Sequence, residues 1–124
     1  MPRTKAKEYS ELASRILGAD SHILRAIVIG PAGQFLAAKN SPRFRGTHAS
    51  GDELERRSVA YSVAFGVAEG FARYMGVPRY LVFAFEDYKV LLTRAPFAGG
   101  LVNVRLPRSV NAEPVFNKIS SVMR

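Results

Sequence analysis

The feature that most constrains this chain is one long helical stretch, residues 50 to 75, lying between two groups of strand-like runs. Ser50-Gly51-Asp52-Glu53 is a capping box, in which the Ser oxygen accepts from the Glu53 amide and the Glu carboxylate reaches back to the Ser50 amide. Acids in that first turn also suit the positive end of the helix dipole. Gly76 and Pro78 supply a stop, so the helix is predicted to run to about Met75. Leu54, Tyr61, Phe65, Ala68, Ala72 and Met75 form a broad apolar stripe suited to packing on a sheet. Val59, Val63, Val67 and Tyr74 carry a second stripe onto another face. A helix of this kind needs a sheet beneath it.

The flanking runs supply one. Residues 23 to 29 are almost continuously aliphatic, Gly30-Pro31-Ala32-Gly33 is a turn signal, and residues 34 to 39 resume extended structure, which predicts a hairpin. Beyond Pro78, residues 79 to 85 and 88 to 94 read as strands joined by a tight turn at Glu86-Asp87, and residues 101 to 106 as a fifth strand stopped by Pro107. At the ends, residues 8 to 17 place Tyr9, Leu12, Ala13 and Ile16 on one helical face, with Gly18 positioned to end that helix in the left-handed conformation. Asn111 can cap a last helix over residues 112 to 123, with Val115, Phe116, Ile119, Val122 and Met123 facing inward. The order is α-β-β-α-β-β-β-α. With hairpins and no βαβ repeat it predicts an α+β fold, a five-stranded antiparallel sheet with helices on both faces.

A chain of 124 residues fits one such domain, expected over residues 8 to 124 behind a basic tail of residues 1 to 7. Eight Phe and five Tyr are too many core formers for a disordered chain, and the longest apolar runs are strand-sized, far short of the ~20 residues of a membrane helix. The tail lacks an apolar run after its basic residues, so export is not indicated and a cytoplasmic location is expected. With no cysteine there is no disulfide framework, thiolate nucleophile or cysteine zinc site.

A search for chemistry yields little. His22 and His48 stand in no metal-ligand spacing and read as surface or packing residues, so no metal is expected. Glu86-Asp87 read as turn residues, since general acid-base work needs a pocket that separates two pKa values. Gly30-Pro-Ala-Gly33 matches no phosphate-loop pattern, and no serine sits on a nucleophile elbow. No catalytic residue and no cofactor is expected, and the chain does not read as an enzyme.

Two features point to binding. Ser62, Gly66 and Gly70 form a row of small residues on the long helix, and each interior Gly costs about 0.5–1 kcal/mol relative to Ala. Either the helix crosses its own sheet closely there, or two copies of the helix meet there, a surface made of Val59, Ser62, Val63, Gly66, Val67, Gly70 and Tyr74. The second feature is a net charge of +8, spread over the tail, the loop carrying Lys39, Arg43 and Arg45, and the C-terminal part of the chain. Arg43 and Arg45 flank Phe44 and, with Arg79, Arg94, Arg105 and Arg108, offer an anion-attracting surface; the alternative reading is a solvated face that keeps the chain soluble. Diffuse charge of this kind supports only weak, salt-sensitive nucleic-acid binding.

The strand-turn-strand Ala26-Ile-Val-Ile-Gly-Pro-Ala-Gly-Gln-Phe-Leu-Ala-Ala38, the long central helix, the paired strands YLVFAF and YKVLLTR, the strand LVNVRL and the terminal amphipathic helix together resemble the roadblock/dynein-light-chain family, related in fold to longin and profilin-like domains. That resemblance covers nearly the whole chain. It implies homodimerisation through the long helix and a sheet edge, and binding to a small Ras-like GTPase as regulator or scaffold, with no catalytic residues carried over. The positive charge and the arginine-bearing loop depart from the family pattern. Nucleic-acid or polyanion binding is therefore the alternative function, and a small-ligand sensor or enzyme on a profilin-like sheet is a third, requiring a concave pocket.

Overall fold

The computed structural model describes residues 5–44 and 51–124. The elements in chain order are α1 (Lys5–Leu17), β1 (Arg25–Ile29), β2 (Phe35–Asn40), α2 (Gly51–Glu69), α3 (Ala72–Met75), β3 (Tyr80–Ala84), β4 (Tyr88–Arg94), β5 (Leu101–Pro107) and α4 (Ala112–Met123). The strands form one antiparallel sheet in the order β2-β1-β5-β4-β3, so the last strand returns to the middle and joins the two hairpins. The predicted architecture is the observed one, with α1 and α4 on one face and α2 on the other.

The alternation of side chains explains this division. Ala26 and Val28, Val102, Val104 and Leu106, and Leu91 share one sheet face and meet Leu12, Ala13 and Ile16 of α1 and Val115, Phe116 and Ile119 of α4 in the main core. The opposite parity carries Ile29, Leu92 and Leu101, which enclose Phe65 of α2, with Tyr61, Leu81 and Phe83 packed around them. The middle strands are apolar on both faces because both faces are covered.

Local signals account for most boundaries. The Asn111 side chain accepts from the Glu113 amide at 3.3 Å, and Gly76, at φ 88°, ends α3 with its amide on Ala72 O at 2.8 Å. Phe85 N donates to Tyr88 O at 2.8 Å across the Glu86-Asp87 turn. Two expectations are corrected. The long helix breaks: Gly70 N is shared between Gly66 O and Val67 O, both at 3.1 Å, and α2 ends at Glu69, leaving residues 72–75 as the separate turn α3. Two glycines one turn apart weaken the helix where no packing compensates. Met75 consequently leaves the sheet-facing stripe and is exposed.

Gly18 is not left-handed either. Among the described residues positive φ occurs at Gly33, Gly76 and Gly99, and α1 closes instead through Gly18 N on Ser14 O and Ala19 N on Ile16 O. The basic stretch set aside as a tail contributes Lys5–Lys7 to α1. Ser50 of the expected capping box, with Arg45 and His48, lies outside the described residues.

Candidate functional site

The outer face of α2 is the most unusual surface. Of its nineteen residues only Ser58 and Phe65 are buried, and Val59, Val63 and Val67 stand on one line at four-residue intervals, with Val63 and Val67 each about 60% exposed (62% and 60%). Phe71, Tyr74, Met75 and Val77 continue this apolar exposure beyond the Gly70 break. Scattered exposed apolar residues are ordinary, but a contiguous run is characteristic of a surface that is covered in use.

The small-residue row falls on two different environments. A Cβ at Gly66 would meet nothing within 4 Å, and one at Gly70 would meet only the carbonyls of its own helix, so the sheet does not press on either. The close crossing lies elsewhere. Gly33, in the β1–β2 turn with φ 81°, would place a Cβ 3.2 Å from Val59 Cα and 3.4 Å from Ser62 Cβ. Ser62 and the backbone side of Val59 therefore pack on the β1–β2 turn, whereas Val63, Gly66, Val67, Gly70 and Tyr74 are exposed and Val59 is about half exposed (46%). Phe71, Met75 and Val77 extend the face and were absent from the sequence-based set; the stop signal at Gly76 gave no indication that the chain bends before them.

Two contacts fix α2 on the sheet. Glu55 Oε2 accepts from the Phe35 amide at 3.1 Å, and Arg94, its guanidinium 5.6 Å from the Phe65 ring, pairs with Glu69. A groove of about 830 Å³ opens between α2 and the β3–β4 hairpin, with Tyr61, Phe83, Phe85 and Tyr88 among its walls.

Among the described residues, the cationic side chains singled out in the sequence do not gather into one patch. Lys39 is exposed at the end of β2, and Arg43 donates to Ser21 O. Arg79 stacks on Phe116, on the α4 side, at 5.1 Å. Arg94 is at the Glu69 end of α2, and Arg108 donates to Glu86 O at 3.2 Å. Phe44 and Arg105 do come together: the ring of Phe44 lies 5.2 Å from the Arg105 guanidinium and 5.9 Å from that of Arg25, and Arg105 also stacks on Tyr88 at 5.1 Å. Arg25 was missed by the sequence reading. Its signal was a cation at the same strand parity as Ile27 and Ile29.

His22 bonds Asp20 through both its amide and Nδ1, each at 2.7 Å. Among the described residues no group of three or more His, Asp or Glu is arranged to hold a metal ion, and no helix is long and apolar enough to cross a membrane.

No family model matches the sequence, and no curated protein matches it. Solved structures do match. A Roadblock/LC7 domain from Streptomyces avermitilis superposes with a TM-score of 0.70 at 12% identity, covering 92% of this chain and 90% of that one. MglB from Myxococcus xanthus does so with 0.72 at 10% identity, over 99% and 87%. The chain has the roadblock fold. A further structure of that fold, an MglB with tetrameric arrangement, matches with a TM-score of 0.69 at 11% identity over 99% of this chain and 93% of that one. At such identities the likeness is one of fold, and it agrees with the family resemblance carried by the hairpin, the long helix and the C-terminal strands. Among the described residues, the outer face of α2 and the β2 and β3 sheet edges are left unpaired within the chain.

Proposed function

We propose that this protein is a non-catalytic interaction module that forms a homodimer through the outer face of α2 and acts as a regulator or scaffold of a small Ras-like GTPase. One observation carries the first part: a nineteen-residue helix buries only Ser58 and Phe65 and presents Val59, Val63 and Val67 outward in a line, with open space around Gly66. A second copy of the same helix matches that line, since the absence of a side chain at Gly66 admits close approach of another backbone. Self-association is also consistent with the tetrameric arrangement of an MglB of the same fold. The GTPase partner rests on the resemblance to roadblock domains.

Light scattering at micromolar concentration tests the first part. The parent protein is expected to run as a dimer, and Val63→Glu and Val67→Glu as folded monomers with unchanged circular dichroism, because both side chains are exposed in the single chain. A dimer that survives both substitutions refutes this interface. For the partner, affinity for a small GTPase is expected to differ by about tenfold or more, that is ~1.4 kcal/mol, between its two nucleotide states. Equal affinity reduces the role to that of a scaffold.

A further inference from the structure

Arg25 of β1 and Arg105 of β5 are direct cross-strand partners, and both side chains are on the α2 face of the sheet. Like charges placed opposite one another repel, and burial adds to the cost. Arg25 is only 6% exposed, and its Nε donor has no acceptor among the described residues. Among the described residues no carboxylate lies within ion-pair distance of Arg25 or Arg105. Arg57 of α2, itself paired with Glu53 Oε1 at 2.7 Å, brings a third guanidinium to the same place. Burial first, then Arg105, then Arg57 hold the Arg25 guanidinium below its ordinary value, so each contribution opposes its charge. Phe44 and Tyr88 stack on the flat faces of the arginines, which leaves the N–H edges to be satisfied.

The space between these groups has a definite shape. The three arginines, with Ser58, Tyr61 and Asn103 and the apolar Ile27, Ile29 and Leu54, line a cavity of about 20 Å³, room for about one oxygen atom. Arg57, Tyr61 and Arg105 also line the 830 Å³ groove between α2 and the β3–β4 hairpin, which Glu86 and Asp87 border as well, so cavity and groove share a wall. We infer that this is a binding site for a small organic oxyanion, one oxygen held by the arginines in the cavity and an apolar or aromatic body lying along the groove against Tyr61 and Phe83. Guanidinium forks suit both phosphate and carboxylate, and the anion supplies the acceptor and countercharge that Arg25 and Arg105 lack among the described residues.

The test follows the arginine Hε–Nε resonances of the full chain by NMR during titration with inorganic phosphate, phenyl phosphate and benzoate. The Arg25 Nε resonance is expected to move, with phenyl phosphate binding about tenfold more tightly than inorganic phosphate because its ring enters the groove. Tightest binding of phenyl phosphate identifies the ligand class as a phosphate monoester, and tightest binding of benzoate identifies a carboxylate. Arg57→Gln, at an exposed position, and Arg105→Gln are each expected to weaken binding by about fivefold or more. Arg25→Met is expected to be no less stable than the parent, since it removes an uncompensated buried charge, and to lose the phosphate-dependent rise in Tm. If none of the three anions moves the Arg25 resonance up to about 10 mM, or if the arginine variants bind as the parent does, the site is refuted.

Discussion

Two buried ionic residues, Asp20 and Arg25, show opposite solutions to the same problem. The Asp20 carboxylate is almost fully enclosed at the α1–β1 junction, and it accepts from the His22 amide at 2.7 Å, bonds the His22 ring and meets Lys118 Nζ of α4 at 3.2 Å. Burial by itself would raise its pKa, but the His22 bonds and the Lys118 charge together outweigh it and hold Asp20 below its ordinary value of 3.8. Because the folded value is the lower one, the stabilisation is complete above the ordinary carboxylate value and is lost as pH falls through the folded value. Asp20→Ala is expected to cost about 1–3 kcal/mol in denaturant unfolding at pH 7. The gap to the parent protein should close progressively below pH 3.8; a gap independent of pH would mean that packing, and not the charge, is what Asp20 contributes. Arg25 has no such partners among the described residues, and the proposed anion would complete it.

At the scale of elements, the contrast between Gly33 and Gly66 separates two uses of glycine. Gly33 needs a left-handed backbone and lets α2 pass within van der Waals distance of the β1–β2 turn, so Gly33→Ala introduces both backbone strain and contact with Val59. A loss of about 1–2 kcal/mol is expected. Gly66 has helical geometry and open space around it, so Gly66→Ala should stabilise the single chain by about 0.5–1 kcal/mol. Thermal unfolding at concentrations where the monomer dominates checks both signs. The hairpins, the Asn111 cap and the two covered faces of the middle strands were legible because the signals involved span only a few residues. The break at Gly70 was not. Helix propensity alone leaves the stretch to Met75 continuous, and what decides against it is the absence of a packing surface under residues 70–75.

For the whole molecule, the proposed dimer ties stability to association through the lightly packed α2. If the outer face of α2 is covered by a second copy, Tm rises with protein concentration in the parent chain and is independent of concentration in Val63→Glu. Calorimetry over a hundredfold range of concentration distinguishes the two, and a parent Tm that does not move argues against a dimer at those concentrations. The same surface was visible in the sequence as a second stripe of Val59, Val63, Val67 and Tyr74 on a face other than the sheet-packing one, yet whether the adjoining row of Ser62, Gly66 and Gly70 met the sheet or a second copy was open, because periodicity gives the angle between stripes and not what covers them.

The sequence by itself determined the five strands, the helices before, between and after them apart from the break at Gly70, their order, the two-faced sheet and the small-residue row on the long helix, since caps, turns and apolar periods are written in spacings of two to four residues. The tertiary structure alone decided that β5 returns between β1 and β4, because strand order depends on which distant apolar faces are buried together. From that placement follows the meeting of Arg25 with Arg105, eighty positions apart in the chain, beneath Arg57 of α2. Such a cluster has no local signature: each arginine is an ordinary charge in its own segment, and it becomes a site only when the sheet sets the two side by side.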